Sequence, residues 1–512
     1  MKLPINDPRP LDQGLYKIDI FNSDPIFSVK IKNETKNLYV KSWEEAFALH
    51  GDVFISDINP SYVAKLISEN QTTQDSPYKR IKRLPRAHFV NLFGDGEIET
   101  FPYKPFTSGA PMQKEKDLHK LIEYLFQDKL SEIISDNHGK IGCELSSGID
   151  SNAIVGCLSK GLGINPDKLF TWSHSGNGEE EYIKKFYEFH KLNIRNCSLD
   201  KNQYKKENFS KSLKENLNIF GMPHQLGGNA AAIKYFNSSS CKILFSGFGG
   251  DQAISHHAIN SATDFIKSLN IIEFYRWMDD PLKATKTMLG RIYGLINKEW
   301  QDNKFTKSIS AMEKFNPLIK YLTNKGKEWL MPYINKEHVY EIDTYCCLHT
   351  SIRNRCMAEW IAVRVEEEKR LAEHHGMRKH FPFLDEKLIA TLLNQDHKYF
   401  SEKFRKGRLI QRKAFAKYLP EMLQKNPSKF REGNNQWESI QRENQKLILS
   451  DLIVFSQNWN KILNNYWNLG EFTKLAINTE KHINNVDIAL SGRVIKSLRI
   501  LNTLSFWFSE LE

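Results

Sequence analysis

The sequence lacks the features that mark membrane, secreted, zinc-binding and repetitive proteins. Its 512 residues contain no apolar run of about 18 residues, so we expect no membrane-spanning helix and no membrane partner. The stretch MKLPINDPRPLDQG at the N-terminus has no apolar segment of the signal-peptide kind. The seven cysteines are odd in number and none has zinc-ligand spacing, which favours reduced, buried thiols. We therefore expect a globular cytoplasmic protein.

The chain is basic, but its positive charge is not concentrated in one place. Lysine and arginine number 72 against 61 aspartate and glutamate residues, which gives a net charge of +11. Such an excess suits nucleic acid, or an acidic or phosphorylated ligand. The basic residues are spread along the sequence, and the one dense block is Lys79-Arg-Ile-Lys-Arg83. We therefore expect no nucleic-acid partner.

The composition changes along the chain and predicts three parts. Residues 1–108 contain short β-like runs and an Asp95-Gly96 hairpin signal, which predicts a small β-rich domain. Residues 109–440 are predicted to form an α/β domain that begins with an amphipathic helix near residues 114–134. Residues 441–512 are predicted to form a helical extension packed on that domain.

Strands and helices alternate between residues 140 and 256. The predicted strands are 140–145, 168–174 and 241–246, and the predicted helices are 149–160, 180–191, 204–219 and 228–237. This alternation predicts a parallel sheet with ligand sites at the carboxyl ends of its strands. Beyond residue 257 the pattern is almost wholly helical.

A first candidate site is the stretch CELSSGIDSNA, residues 143–153, where a short strand turns into a helix through Ser-Ser-Gly. Such a turn points several backbone N–H groups at one spot that favours an anion. Asp150 would repel a bare phosphate, so its carboxylate indicates a divalent cation between the two. The stretch therefore predicts a magnesium–pyrophosphate site that differs from a Walker loop. Taken alone, it also fits an ordinary helix N-terminus.

A second candidate site is LFSGFGGDQAIS, residues 244–255, where another apolar strand ends in glycines and Asp251. One Gly-rich loop is weak evidence by itself. Two such loops at neighbouring strand ends, each with one carboxylate, can hold a metal ion over a triphosphate.

These two loops resemble those of the asparagine synthetase superfamily, in its synthetase half. The family's first loop reads L-S-G-G-x-D-S-S, and residues 145–152 read LSSGIDSN. Its second loop reads S-G-x-G-[GAS]-D-E, and residues 246–252 read SGFGGDQ. Three further segments follow the family's order, at residues 169–182, 375–385 and 408–429. The resemblance covers about residues 140–435 and implies an adenine-nucleotide α-hydrolase-like (PP-loop) fold that uses ATP and Mg²⁺.

The resemblance also implies a role for each matching residue. The implied nucleotide contacts are Leu145, Ser173, Ser246 and Gly247. The implied pyrophosphate contacts are Ser146, Gly148, Asp150 and Ser151. Asp150 and Asp251 would bind magnesium, and Lys429 would face the acyl-adenylate and the oxyanion that forms when an amine attacks it. Taken by itself, Lys429 fits a solvated loop lysine equally well.

The N-terminal part departs from the glutamine-dependent members of the family. Those members begin with Met-Cys, and the cysteine releases ammonia from glutamine. Here the sequence begins with Met1-Lys2 and its first cysteine is Cys143. Residues 78–90 resemble the end of the family's glutaminase domain, so residues 1–108 are expected to be a degenerate glutaminase-like domain without its catalytic cysteine. The expected nitrogen source is an amine on the substrate, as in β-lactam synthetases and lasso-peptide cyclases.

Three positions near the candidate site also differ from the family. Phe248 stands where members place a residue that can act as acid or base, so any general base must come from elsewhere. Gln252 replaces the usual Glu. Arg378 stands near another usual Glu, which argues against free aspartate as the substrate.

The sequence therefore predicts an ATP-dependent ligase that adenylates a carboxylate, forms AMP and pyrophosphate, and passes the acyl group to an amine. The expected substrate is a peptide in a macrolactam-forming or peptide-tailoring reaction of lasso-peptide type, with a precursor-processing protease as a candidate partner. The first alternative is ammonia-dependent amidation of a small carboxylate, as in asparagine synthesis. A tRNA-modifying pyrophosphatase would lack the second loop, and a catalytically dead binding protein would not need both aspartates and Lys429.

Overall fold

The computed structural model describes most of the chain. The described residues are 10–31, 36–50, 55–68, 76–94, 96–135, 139–174, 180–200, 228–256, 259–278, 280–296, 317–334, 346–404, 406–425, 434–457, 459 and 461–511. These residues form a mixed α/β structure with a small N-terminal β region, one parallel sheet and many helices.

The strands belong to three sheets. They are β1 Gly14–Ile18, β2 Phe27–Lys30, β3 Asn37–Val40, β4 Ile81–Arg83, β5 His88–Leu92, β6 Ile98–Pro102, β7 Lys140–Glu144, β8 Leu169–His174, β9 Cys197–Asp200, β10 Cys241–Phe245 and β11 Arg378–His380.

The α-helices dominate the C-terminal half of the described chain. They are α1 Trp43–His50, α2 Pro60–Ser68, α3 Glu115–Ser135, α4 Ile149–Gly156, α5 Glu180–His190, α6 Gly228–Ser238, α7 Ser261–Lys267, α8 Ile271–Met278, α9 Pro281–Ile296, α10 Asn324–Leu330, α11 Leu348–Met357, α12 Glu359–His374, α13 Glu386–Leu393, α14 Leu409–Ala414, α15 Glu421–Lys425, α16 Asn434–Ser456, α17 Leu469–Lys481 and α18 Ile488–Leu511.

The N-terminal β region contains two three-stranded sheets, ordered β1-β5-β6 and β3-β2-β4, and every pairing within them is antiparallel. The hairpin that the sequence predicts is present, because β5 pairs with β6 from His88↔Pro102 to Leu92↔Ile98. Gly96 in its turn has φ +84°, a left-handed conformation that glycine adopts without strain. Asp95 lies outside the described residues.

Within the described residues, the parallel sheet has five strands in the order β11-β10-β7-β8-β9. The prediction of a parallel sheet is confirmed, and β7, β8 and β10 lie where the sequence placed them. Strands β9 and β11 were not predicted. The predicted helix 149–160 is α4 followed by a π-helical turn at Cys157–Gly161. The predicted helix 204–219 lies outside the described residues.

Helix α3 packs one face against the parallel sheet and the segments that follow β11. Leu118 and Leu130 are fully buried on this face. Phe126 stacks on Phe383 at 4.6 Å between ring centroids and meets Phe415 edge-on at 5.0 Å. Because Phe415 follows directly after α14, this packing fixes α14 against the body of the α/β part.

The C-terminal helices share a hydrophobic core with parts of the chain that are distant in sequence. Residues of α16, α17 and α18 pack with α2 from the N-terminal region and with residues 317–334. The division into 1–108, 109–440 and 441–512 stays a prediction. Within the described residues, no helix is both long and apolar enough to cross a membrane.

A buried carboxylate on α12 joins the N-terminal β region to the α/β part. Glu366 is 2 % exposed and accepts hydrogen bonds from Arg83 Nη2 at 2.9 Å, Trp43 Nε1 at 2.8 Å and Asn22 Nδ2 at 2.7 Å. Since a buried carboxylate is costly without partners, these three donors make the contact between the two parts specific.

Candidate active site

The two candidate loops leave neighbouring strands of the parallel sheet. Strand β7 leads through residues 145–148 into α4, and β10 leads into residues 246–251. The two strands pair in parallel, with Phe245 opposite Cys143, so both loops emerge at the same edge of the sheet. The structure thus brings together the two loops that the sequence singled out.

The first loop, residues 145–152, is held by hydrogen bonds between its own polar groups. The Ser146 hydroxyl accepts from the Gly148 N–H at 3.1 Å, and the Ser151 hydroxyl accepts from the Ser146 N–H at 3.1 Å. The two hydroxyl oxygens lie 3.2 Å apart. Three of the predicted pyrophosphate contacts therefore form one compact turn at the N-terminus of α4, where backbone N–H groups favour an anion.

Asn152 and Tyr182 support this loop, although neither was predicted as a site residue. The fully buried Asn152 donates from Nδ2 to the carbonyl oxygens of Ser146 and Gly148, each at 2.7 Å. The Tyr182 hydroxyl donates to Asn152 Oδ1 at 2.7 Å and so orients the amide. The one feature of the sequence that could have pointed to Asn152 is that it replaces the second serine of the family's D-S-S motif.

The second loop, residues 246–251, depends on glycine where it touches the first. A Cβ at Gly250 would lie 2.1 Å from Asp150 Oδ1, and a Cβ at Gly247 would lie 3.0 Å from the Ser151 nitrogen. Gly249 has φ +100°, and a Cβ there would lie 2.5 Å from Leu384. Side chains at these positions would push the two loops apart, which explains the run of glycines before Asp251.

The negative charge of one predicted metal ligand, Asp251, affects the pKa of the other, Asp150. Burial, and then the negative charge of Asp251, raise the pKa of Asp150 to about 6, while the Arg408 guanidinium opposes the shift. Asp150 Oδ1 accepts a hydrogen bond from Gln411 Nε2 at 2.9 Å. Asp251 Oδ1 accepts from Arg408 Nη2 at 2.8 Å and from the Ser255 hydroxyl at 3.2 Å.

Arg408 and Gln411 lie at the start of α14, which is the third segment that contributes side chains to the site. Arg408 precedes this helix in a left-handed conformation, φ +65°, and its N–H donates to the His256 carbonyl at 3.3 Å. This segment carries part of the family resemblance, but no role was predicted for either residue. Their chemistry alone could not show that they would face Asp150 and Asp251.

The predicted nucleotide contacts lie at the ends of three adjacent strands. The Leu145 N–H donates to the Trp172 carbonyl at 2.9 Å, which extends the pairing of β7 with β8. Ser173 is buried near the end of β8. Ser246 follows β10, and its N–H donates to the His380 carbonyl at 3.1 Å. Their roles toward ATP stay predictions, as does that of Gly247.

The donor set fits a magnesium ion that shares its coordination with phosphate. Within the described ranges, no group of three or more His, Cys, Asp or Glu side chains could hold a metal ion. Magnesium is commonly bound by one or two carboxylates together with substrate phosphates and water. Asp150 and Asp251 supply two such carboxylates, and the Arg408 guanidinium already places positive charge beside Asp251. Lys429 lies outside the described residues, so its predicted role stays a prediction.

This fold and site define an α/β protein with paired carboxylates after adjacent parallel strands. The chain belongs to the asparagine synthase family, because the sequence profile of that family matches residues 125–453. The matched range includes both loops, Arg408, Gln411 and Lys429. As a member of this family, the chain is in general terms an ATP-dependent carbon–nitrogen ligase that resembles amidotransferases. Comparison with individual curated proteins gives no match.

Proposed function

We propose that the chain activates a substrate carboxylate as an acyl-adenylate on a PP-loop fold and transfers the acyl group to an amine. The observation that carries this proposal is the contact between the two strand-end loops, in which the Asp150 carboxylate packs against Gly250 and faces the charge of Asp251. A carboxylate pair beside a helix N-terminus suits a triphosphate whose α–β bond is broken.

In the first step a carboxylate oxygen of the substrate attacks the α-phosphorus of ATP, and pyrophosphate leaves. Backbone N–H groups of the first loop and the start of α4 would hold the departing phosphates. A magnesium ion on Asp150 and Asp251, when bound, would neutralise part of the negative charge on pyrophosphate. Arg408, whose Nη2 lies 2.8 Å from Asp251 Oδ1, would also bind a phosphate oxygen, because guanidinium groups pair well with phosphates.

In the second step the amine attacks the acyl carbon, AMP leaves, and the nitrogen loses one proton. Lys429, whose role is inferred from the resemblance of residues 408–429 to the family, would stabilise the negative charge that collects on the acyl oxygen. Phe248 cannot accept the proton of the amine. The proton acceptor is therefore another group or water.

We further propose that the amine belongs to the substrate itself, as in the macrolactam-forming cyclases of lasso-peptide type. The N-terminal β region, residues 10–102, contains no cysteine that could release ammonia from glutamine. Cys143 is fully buried in β7, and burial raises the pKa of its thiol well above the usual range. A peptide with an acidic side chain and a free amine fits this requirement.

The test is exchange of labelled pyrophosphate into ATP, which reports adenylation without the second step. Peptides and small acids are screened with Mg²⁺ for substrates that start the exchange. Asp251→Asn is the variant at the site, and Arg353→Gln, at an exposed position of α11, is the matched control. We expect carboxylate-dependent exchange in the wild type and the control, and exchange lowered by roughly 10³-fold in Asp251→Asn. Near-normal exchange in Asp251→Asn would contradict the assignment of the site.

A further inference from the structure

Helix α9 is anchored to the body of the protein through one of its faces. Ala284 on this inner face is fully buried in a core shared with α7 and α8. The Arg291 guanidinium, on the same face, donates to Thr263 Oγ1 at 3.2 Å and to the Ile259 carbonyl at 3.3 Å. Because apolar packing and hydrogen bonds both hold α9 against α7, the opposite face of α9 points outward in a fixed direction.

The opposite face of α9 exposes large apolar side chains. Leu282, Leu289 and Tyr293 are 85 %, 59 % and 51 % exposed, and Ile292 is 37 % exposed. At 3.6 residues per turn and 1.5 Å per residue, these four positions form one stripe about 100° wide and roughly 16 Å long. Each of the other described helices has at most one large apolar side chain with comparable exposure. Exposed apolar surfaces of this kind mark interaction sites, and we call these four residues the α9 stripe.

Gly290 borders the α9 stripe, and no described neighbour requires a glycine there. It is exposed within the helix, and a Cβ at this position would meet no atom within 4 Å. Alanine would make such a helix more stable, since glycine loses more conformational freedom on folding. Glycine does, however, let the backbone of another element approach closely. Gly290 therefore favours a partner helix at the stripe over a lipid surface, which needs no such approach.

The charged side chains of α9 are all basic. Its 16 residues include Lys283, Lys286 and Arg291 and no aspartate or glutamate. Lys283 lies over the Phe404 ring at 5.4 Å from its centroid. Lys286 is exposed and lies one turn before Gly290, at the edge of the stripe. A second copy of this chain, with its net charge of +11, would bring like charges together, whereas an acidic partner would neutralise Lys286.

We propose that the α9 stripe docks an acidic amphipathic helix of a partner protein. Apolar side chains of that helix would cover Leu289 and Tyr293, and its backbone would approach Gly290. One of its carboxylates would pair with Lys286. These residues are not among those that hold the paired carboxylates of the candidate active site, so the inference does not depend on the proposed function.

The experiment uses the full-length protein and a designed peptide of about 18 residues, or five helical turns. The peptide has leucines along one face and glutamates and alanines elsewhere, and fluorescence anisotropy of a labelled form measures binding. We expect saturable binding to the wild type and binding about ten-fold weaker to Leu289→Ala, the usual scale for an apolar anchor at an interface. The matched control is Val454→Ala on α16, which removes another exposed apolar side chain and should bind as the wild type does.

Gly290→Ala tests the close approach of the partner helix. We expect this variant to bind the peptide about ten-fold more weakly, although it should melt at a slightly higher temperature because alanine favours the helix. Gly470→Ala is the matched control, since Gly470 is an exposed glycine of α17 whose added Cβ would also meet no atom within 4 Å. It should bind as tightly as the wild type. A purely structural role of Gly290 would not lower affinity while raising stability.

Exchanging the charges tests the acidic character of the partner. Lys286→Glu should bind the glutamate peptide about ten-fold more weakly than the wild type does. It should bind a version with lysines in place of the glutamates more tightly than the wild type does. Leucine contacts alone could not produce this reversal. All the α9 variants should catalyse pyrophosphate exchange at the rate of the wild type.

Four results would overturn the inference. The first is a wild type that does not bind the glutamate peptide, or Leu289→Ala and Gly290→Ala variants that bind it as tightly as the wild type. The second is a dimer, seen by light scattering, that Leu289→Ala dissociates, because a second copy would then occupy the stripe. The third is binding to phosphatidylserine vesicles that Leu289→Ala abolishes, which would assign the stripe to a lipid surface. The fourth is a parallel loss of peptide binding and pyrophosphate exchange, which would place the stripe in the active site.

Discussion

The two loops at the site are built in opposite ways. The first loop, residues 145–152, is stabilised from within, because hydroxyl and amide side chains such as Ser146 and Asn152 satisfy its own backbone groups. The second loop, residues 246–251, has three glycines and is positioned by contacts with other segments. The first loop is fixed by its own hydrogen bonds, whereas the second takes its shape from its neighbours.

Because of this difference, we expect the contact between the two loops to be the interaction that matters most for function. Asp150 belongs to the rigid loop but packs against Gly250 of the other. Asp251 belongs to the glycine loop and is held by Arg408 from a third segment. The carboxylate pair therefore depends on three segments of the chain, and changes at their contacts should affect catalysis more than stability.

Removing either carboxylate should have the largest effect. Asp150→Asn and Asp251→Asn are each expected to lower pyrophosphate exchange by roughly 10³-fold, the scale of several kcal/mol of lost charge stabilisation. Binding of Mn²⁺ in the presence of AMP-CPP, measured by electron paramagnetic resonance, should fall in both variants. Thermal melting serves as the control for folding. A variant with near-normal exchange would show that the pair is not the metal site.

Adding one methyl group where the loops meet should have the next largest effect. Gly250→Ala places a Cβ against the Asp150 carboxylate, so we expect exchange to fall by about 10²-fold, the cost of a displacement of about 1 Å. Gly163→Ala is a control for glycine replacement, because nothing lies within 4 Å of a Cβ there, although its φ of +63° adds local strain. If Gly250→Ala is as active as the wild type, the close contact between the loops has no catalytic importance.

Arg408 should contribute to the binding of ATP. Arg408→Gln is expected to raise the KM for ATP by about 10-fold to 100-fold, since hydrogen bonds to charged groups contribute roughly 1.5–3 kcal/mol. The KM for the carboxylate substrate should change little. Equal changes in both constants would show that Arg408 only supports the fold of the second loop.

The raised pKa of Asp150 should appear as a pH dependence of stability. In metal-free protein this carboxyl binds its proton more tightly when folded, with a pKa of about 6, than when unfolded. Its contribution to stability is therefore fully present below the unfolded pKa of about 4 and is lost as the pH rises from there through 6. We expect a loss on the order of 2 kcal/mol between pH 4 and pH 7 that is absent in Asp150→Asn. Chemical unfolding at several pH values, compared between the two proteins, measures this difference. An identical pH profile in the two proteins would contradict it.

The smallest effect on activity is expected from a change that weakens the first loop. Tyr182→Phe removes the hydroxyl that orients Asn152 and should lower the free energy of unfolding by about 1 kcal/mol. Exchange activity should fall less than in Gly250→Ala. Urea denaturation measures the stability. If the loss of exchange activity, expressed as a free energy of activation, exceeds the loss in the free energy of unfolding, the first loop also depends on outside contacts.

The sequence predicted the elements whose signals are local. Strands β7 and β10 are short apolar runs followed by small residues, and the turn into α4 follows from Gly148 and the helical spacing after it. These features also identified Asp150 and Asp251. Strands β9 and β11 were missed because they have four and three residues and include polar side chains, so no clear alternation marks them.

The missed site residues depend on contacts between distant parts of the chain. Gln411 reaches Asp150 across 261 positions, and Lys379 reaches Glu144 across 235. A glutamine in a short helix and a lysine in a three-residue strand have no local pattern that predicts such partners. Phe248 was recognised as a departure from the family, but its contact with Arg364 required the packing of α12 against the second loop.

The most direct test of the central claim follows an oxygen atom from the substrate carboxylate. A peptide found by the exchange screen is labelled with ¹⁸O in its carboxyl groups and incubated with the enzyme, ATP and Mg²⁺, and the nucleotide products are analysed by mass spectrometry. Attack of the carboxylate on the α-phosphorus predicts AMP that carries one ¹⁸O atom, together with unlabelled pyrophosphate. Formation of ADP and phosphate, or of AMP without the label, would contradict the account.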